Sequence, residues 1–362
     1  MKIVITGGHL SPALAVIEKI PKDWEILFIG RKFALEGDKS VSLEYQTVND
    51  LGIKFVDINA GRLQRSFSRY TIPSILRIPK AYITTLNVLR ELKPDAILGF
   101  GGYVSVPVVI VGKMLNIPTV IHEQTLNAGA SNKILSKFAD KILISWETSF
   151  KYFPKEKTEL IGNPVREDFF KPTNLPEGSD PLIFVFGGST GSHTLNTLIE
   201  KIVRKLLKSY RVLHMTGPMD YERLSVLSRS LSNSNKYLAV ESFNPFCMGY
   251  VLQNSEMVIS RSGINTITEL IKFEKPAILI PLPFGQKNEQ EKNARFLKEL
   301  GLAEVLDQKT VTPDALFEVV QKMFLHLDKY KLRKKGVLRL GASEKILEAL
   351  KDATNKKTKK TK

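Results

Sequence analysis

One cysteine, Cys247, stands among 362 residues, so no disulfide can form within the chain and a cysteine-rich zinc module is excluded. A reducing compartment is expected. Long apolar runs are missing too: the stretch 104–115 is interrupted by Pro107 and Lys113 and falls well short of the roughly 20 residues that span a bilayer. At the N-terminus, Gly7, Gly8, His9 and Pro12 break the apolar start before a signal-peptide core can form. Acidic residues are scarce, with 37 Asp and Glu against 53 Lys and Arg, a net charge of +16. Such an excess points to a polyanionic partner: nucleic acid, an anionic membrane surface or a phosphorylated ligand. Between residues 58 and 90 acid is absent altogether, while Arg62, Arg65, Arg69, Arg77, Lys80 and Arg90 are interleaved with apolar residues that include Ile75 and Leu76. That pattern reads as a solvated helix face, or as a surface that docks on anionic headgroups. Three aromatics among many aliphatics, Phe67, Tyr70 and Tyr82, favour a membrane over single-stranded nucleic acid.

The rest of the composition is ordinary for a globular protein, at 43% hydrophobic and 25% charged, and the length suits about two domains. Short β-branched runs at 2–6, 24–30, 95–100, 119–122, 181–186, 210–215, 257–260 and 276–281 alternate with helical patterns, which predicts parallel, doubly wound sheets. Pro164, Pro172, Pro176 and Gly178 punctuate a polar stretch and mark the domain boundary. The two halves open alike, on KIVITGGHLSPALAVIEKI and LIFVFGGSTGSHTLNTLIEKIV: strand, glycine turn, helix. Ser11 can cap the first helix with Pro12 at its first position, and Ser189, Thr190 and Ser192 are available for the second. The expected organisation is a first domain over 1–163, a second over 164–335, a helix over 336–350 that packs back on the first domain, and a disordered Lys-rich tail over 351–362.

A glycine turn after a strand lets the backbone approach a ligand, and the helix that follows offers free amides and a positive dipole end to an anion. Neither turn fits GxxxxGK[ST] or a full GxGxxG, which speaks against a P-loop NTPase and a nicotinamide enzyme. A third junction, VISRSGINTITELIKF, sets Ser262, Gly263, Asn265 and Thr266 at a helix start and Glu269 one turn on. Hydroxyls and amides near phosphate with a carboxylate near a ribose suit a nucleotide; a well-capped helix would look the same. His9 lies at a loop tip beyond a strand, where open α/β sheets bind ligands, and is a candidate general base or phosphate contact. His122 and Glu123 also end a strand, but HExxH is absent and a zinc reading fails. No DxD pair occurs, which disfavours a diphosphate held by an Asp-bound metal.

Together these residues resemble the MurG family of N-acetylglucosaminyltransferases, which convert lipid I into lipid II. The motifs are TGGHLSPALAV, GFGGYVSVPV, IPTVIHEQ, GNPVR, FGGSTG, SRSGINTITEL and KPAILIPLP followed by Gln290, Asn293 and Ala294, in that order over most of the chain. The resemblance implies an α/β fold of two Rossmann-like domains facing across a cleft, the GT-B architecture. It implies UDP-N-acetylglucosamine as donor, lipid I as acceptor, and an inverting transfer to the muramyl 4-hydroxyl without a metal or other cofactor. On that basis Arg166 and Ser189 contact the diphosphate, Gly263, Asn265 and Thr266 lie along the nucleotide, Glu269 holds the ribose and Gln290 touches the sugar. Thr6, Gly7, Gly8 and His9 face the acceptor pyrophosphate, with His9 the first candidate for the base and Glu123 the second. Thr125 stands where the family has an amide, Asn127 is a substitute, and Asn244 is a further substrate contact. His193 stands where an Arg is common. The basic segment, through Arg65, Arg69, Ile75, Leu76, Arg77 and Lys80, would bind an anionic membrane as a peripheral protein on the cytoplasmic face, and no nucleic acid is expected. Another GT-B transferase, a sugar-nucleotide epimerase and a basic nucleic-acid-binding protein are the alternatives.

Overall fold

In the computed structural model the described residues are 1–33, 41–58, 71–166, 171–188, 190–283 and 288–360, with the backbone alone described at 71–76 and 358–360. The chain divides into two compact units, one of residues 1–166 and 339–362, the other of 167–338. The break falls three residues after the expected boundary, and the return at 339 three residues later than 336.

The first unit holds seven strands: β1 (Lys2–Thr6), β2 (Glu25–Gly30), β3 (Lys54–Asp57), β4 (Ala96–Gly99), β5 (Thr119–Glu123), β6 (Lys141–Ile144) and β7 (Thr158–Leu160). They form one parallel sheet in the order β3-β2-β1-β4-β5-β6-β7. Its central strands are buried on both faces and therefore read as unbroken apolar runs, such as IVI in β1 and AILG in β4. One face carries α3 (Thr71–Leu92), α4 (Gly102–Met114) and α5 (Ala130–Leu135) through Leu89, Val108 and Leu135. The other carries α1 (Leu10–Ile17) and α2 (Leu43–Asp50) through Val16 and Val48.

The second unit repeats the plan. Strands β8 (Leu182–Phe186), β9 (Arg211–Met215), β10 (Tyr237–Val240), β11 (Met257–Ser260), β12 (Ala277–Leu279) and β13 (Ala303–Val305) pair in parallel in the order β10-β9-β8-β11-β12-β13. Around them lie α6 (His193–Leu206), α7 (Pro218–Ser230), α8 (Met248–Gln253), α9 (Ile264–Lys272), α10 (Glu289–Glu299) and α11 (Pro313–Leu325). Helix α6 shows why these segments fold as they do: Leu195, Leu198, Ile199, Ile202, Val203 and Leu206 recur at helical spacing and are buried, and the Ser192 hydroxyl accepts the Leu195 N–H as N-cap.

Two local expectations change. Helix α1 begins at Leu10 with His9 in the N-cap position, two residues ahead of the expected Ser11 cap. The segment expected to be a disordered tail from 351 is instead helical: α12 (Ala342–Lys360) runs well past 350. Ile346, Leu347, Ala349 and Leu350 anchor it in the first unit's core, Ala353 packs beside them, and lysine-rich turns extend an anchored helix at little cost. Among the described residues no helix is long and apolar enough to cross a membrane.

Candidate functional site

In a doubly wound sheet the crevice for ligands opens at the carboxyl ends of the strands where their order reverses. In the first unit that point lies between β1 and β4, in the second between β8 and β11. All the glycine turns singled out in the sequence end at these two places.

In the first unit the two glycine loops touch. Gly8, at φ +144°, lies so close to the turn after β4 that a Cβ would overlap the Gly101 carbonyl oxygen. Ser105 of α4 ties the loops, its hydroxyl 3.0 Å from the Gly7 carbonyl oxygen and also within hydrogen-bond reach of Gly101 O. The Thr6 hydroxyl, fully buried, is 3.3 Å from the same group. Beneath the loop sits the carboxylate of Glu44, in the first turn of α2, accepting N–H bonds from Arg31 at 3.2 Å and from Gly8. A side chain at Gly7 or Gly30 would collide with it. Burial raises the Glu44 pKa above the ordinary carboxylate range, the Arg31 and Gly8 contacts opposing the shift. His9 is half-buried at the start of α1, and burial lowers its pKa to about 4, so at neutral pH it carries no charge. His122 behind it is fully buried, bonded to the Gly162 carbonyl at 3.0 Å, and lowered to about 4 as well.

Glu123, the second candidate base, is 1% exposed and occupied. Its Oε1 accepts the Thr125 N–H at 3.0 Å with the Thr125 hydroxyl at 2.5 Å, and its Oε2 accepts from Gly129 N at 2.9 Å and Asn132 Nδ2 at 3.0 Å. The carboxylate thus shapes the loop after β5 and the start of α5. Thr125 and Asn127 serve the same loop, Asn127 Oδ1 accepting from the Tyr152 hydroxyl at 2.9 Å.

In the second unit the glycine turn rests on a cation. Arg261, directly after β11, is 7% exposed. Its Nε and Nη2 donate to the Ser192 hydroxyl at 3.1 and 2.7 Å and its Nη1 to the Ile280 carbonyl at 2.8 Å. No carboxylate among the described residues pairs with it. A buried charge without a counter-ion is costly, and at the carboxyl end of a sheet it marks a place for an anion. Burial pulls its pKa downward, yet a guanidinium keeps its proton. Across the turn, the first helical residues of α9 include Asn265, whose Oδ1 is buried without a hydrogen-bond partner among the described residues. Gln290 and Asn293 of α10 converge on the same junction: the Ser262 hydroxyl donates to Gln290 O at 2.8 Å, and Asn293 Nδ2 donates to Ser262 O at 3.0 Å. Gly263 is the N-cap position of α9, and Thr266 and Glu269 are half-buried on its first turns.

The remaining expected residues scatter. Arg166 belongs to the first unit and is ion-paired there with Glu18 at 3.0 Å. Asn244 is exposed and accepts the Phe246 N–H of its own turn at 3.0 Å. Ser189, Arg65 and Arg69 lie outside the described residues, as do the side chains of Ile75 and Leu76; Arg77 is half-buried and Lys80 exposed on α3. His193 is bonded to Asp220 at 2.9 Å beside the glycine turn. Sequence reasoning did not single out Glu44 or Arg261. An acid just after the Ser42 cap, and an arginine closing the buried strand MVIS, were the available signals.

Residues 4–144 match the glycosyltransferase family 28 N-terminal domain and residues 182–355 its C-terminal domain. The molecule is thus a two-domain glycosyltransferase of the GT-B class. A Bacillus cytotoxicus UDP-N-acetylglucosamine–N-acetylmuramyl-(pentapeptide) pyrophosphoryl-undecaprenol N-acetylglucosamine transferase is 31% identical over 367 residues, spanning 97% of this chain and 98% of its own. A second enzyme of that name, from Bacillus cereus, is 33% identical over 366 residues, covering 97% and 99%. The chain belongs to that family. Solved structures share the fold: Acinetobacter baumannii MurG at TM-score 0.69 and 22% identity, over 97% of this chain and 100% of that one, and Neisseria meningitidis UDP-GlcNAc 2-epimerase bound to UDP-GlcNAc at 0.64 and 15%, over 97% and 100%.

Proposed function

We propose that this chain moves N-acetylglucosamine from UDP-N-acetylglucosamine to the 4-hydroxyl of the muramyl sugar of lipid I, with inversion, without a metal, and with His9 as the base. Its activity is the transfer that turns lipid I into lipid II for peptidoglycan synthesis. The finer reading rests on one observation: the two switch points carry opposite chemistry, a neutral imidazole at the first and a buried, unpaired guanidinium at the second.

In the step, the acceptor oxygen bonds to the anomeric carbon as the bond from that carbon to the UDP oxygen breaks. The hydroxyl proton passes to a ring nitrogen of His9, and UDP leaves with the electron pair. An acceptor pyrophosphate at the amides of residues 7–9 adds negative charge beside His9, raising its pKa from about 4 and making it a better base once substrate is bound. Charge growing on UDP is met by the amino-terminal amides of α6 and α9 and by Arg261. Ser189, Gly263, Asn265 and Thr266 are assigned to the nucleotide and diphosphate, Glu269 to the ribose and Gln290 to the sugar. Arg166 joins the diphosphate side by exchanging Glu18 for phosphate. Glu123, Thr125 and Asn127 shape the acceptor loop.

The same proposal makes the protein peripheral at the cytoplasmic face of the cell membrane, with Arg65, Arg69, Ile75, Leu76, Arg77 and Lys80 toward anionic lipid. Support comes from α3, where exposed Lys80 stands near Ile83, an apolar side chain 61% exposed. UDP release from UDP-N-acetylglucosamine and a lipid I analogue tests the function. Release that needs both substrates, and falls in Glu269→Ala, is expected; absence of acceptor-dependent turnover by the intact chain overturns it.

A further inference from the structure

We propose that the second unit carries a separate binding site for a phosphate-bearing anion, in the groove between α10, α11 and the chain after α11. The groove has a volume of about 550 Å³ and is lined by Gly301 and Ala303, at the amino end of β13. It therefore lies at the opposite end of the sheet from the switch point between β8 and β11.

Five cations line it: Arg295 and Lys298 of α10, Lys322 of α11, and Lys329 and Arg333 beyond. Two are committed, Arg295 to Glu291 at 2.9 Å and Lys298 to Glu304 at 3.0 Å. Glu304 also accepts from the Tyr330 hydroxyl at 3.1 Å, so that carboxylate is spent. Lys322, Lys329 and Arg333 pair with no acid among the described residues. The arginine is held in place by the backbone. Its N–H donates to the Leu300 carbonyl at 2.9 Å, and its side chain lies across Gly301, where φ is +88° and a Cβ would come within 2.9 Å of Arg333 Cγ and 2.7 Å of Lys331 O. A glycine in a conformation that other residues rarely adopt thus opens room for the arginine stem.

The plain explanation is compensation of two helix ends, since α10 and α11 both terminate here and each end carries roughly half a negative charge. That accounts for part of the cluster. The two ends and Glu299 do not neutralise three unpaired cations, and the adjoining chain adds Lys331, Lys334 and Lys335, all exposed, with no acid between 329 and 343. Positive charge held at fixed positions around a concave surface is what a multivalent phosphate group binds. Such a group can be borne by an anionic lipid or by a soluble polyphosphate.

The test compares the full chain with a Lys322→Gln, Lys329→Gln, Arg333→Gln variant, whose melting temperature confirms folding. One arm sediments each with vesicles of phosphatidylcholine and phosphatidylglycerol at about three to one. The other titrates inorganic triphosphate by calorimetry in saturating UDP, which keeps the donor site filled. The variant is expected to bind at least about tenfold more weakly in one arm while transfer to a soluble lipid I analogue is unchanged. Loss on vesicles assigns the site to lipid, loss with triphosphate to a soluble anion. Equal binding by both proteins in both arms overturns the proposal.

Discussion

At the switch point of the first unit the glycine loop rests on a carboxylate, Glu44; at that of the second it rests on a guanidinium, Arg261. The local architecture is otherwise the same: a buried strand, a glycine turn and the positive end of a helix. In the first unit Glu44 and Glu123 take up N–H groups of the loops, and the His9 imidazole is kept neutral by burial. In the second the acid beside the turn, Asp220, is taken up by His193, Asn196 and Arg223, and the helix ends and Arg261 add positive charge at the turn. On the proposed mechanism, a few buried charges tune one fold toward accepting a proton in one copy and receiving an anion in the other.

The largest way to break that contrast is His9→Ala. If the first unit removes the proton, kcat falls by about 10²–10⁴-fold while UDP-N-acetylglucosamine affinity is unchanged. Single-turnover kinetics beside calorimetric titration of the donor reads both, and a kcat within tenfold of the native value would move the base elsewhere.

Acid comes next. His122 in the first unit and His214 in the second are fully buried, their pKa values lowered by burial to about 4 and about 3. Each folded value lies below that of the unfolded chain, roughly 6.5. The unfolded state therefore takes up protons first, so the stability each neutral ring contributes is complete above about pH 6.5 and is lost as the pH falls toward the folded values. By pH 4.5 the loss is on the order of 2–3 kcal/mol for each. Denaturant melts at pH 7 and pH 4.5 should show it in both units; His122→Gln should flatten the dependence only in the first.

Arg261→Gln is the counterpart of the His9 substitution. A lost charged hydrogen-bond donor costs about 1.5–3 kcal/mol, hence about 10- to 100-fold in UDP affinity, with lipid I affinity unchanged. Arg261→Lys should recover part of it, since an ammonium keeps the charge without the fork that holds Ser192. Equal losses for both substrates would make Arg261 a structural residue alone.

What the sequence discloses follows from the same contrast. Each of the eight apolar runs coincides with a strand, because a parallel sheet buried on both faces needs continuous apolar segments. Among the strands left unread, TEL in β7 and AEV in β13 are short and KFVD in β3 is partly exposed. The glycine turns were legible because they are local. Glu44 was not, since its task depends on meeting Gly7 and Gly30 from a distant helix, and neither was the occupation of Glu123 by Gly129 and Asn132. Spacing along the chain names the groups at a strand end without saying which of them are already bonded to one another.

The smallest effect is the sharpest probe of the first unit. Glu44→Gln keeps the size of the side chain but replaces one acceptor oxygen by an NH₂ that cannot accept, so the N–H groups of Arg31 and Gly8 must compete for the one remaining, uncharged oxygen. Their loosening should lower kcat/KM for lipid I by about three- to tenfold, the worth of one modest hydrogen bond, and leave the donor untouched. A pH profile separates this from simple destabilisation. Because burial raises the Glu44 pKa, the native enzyme should lose acceptor kcat/KM as the pH falls through a value above the ordinary carboxylate range, where protonation removes an acceptor from the loop. The Gln variant cannot protonate and should lack that limb while keeping the lower one set by His9 near pH 4. A limb that survives in the variant would show that another group titrates there, and that the carboxylate beneath the first glycine loop supports the fold without tuning the acceptor site.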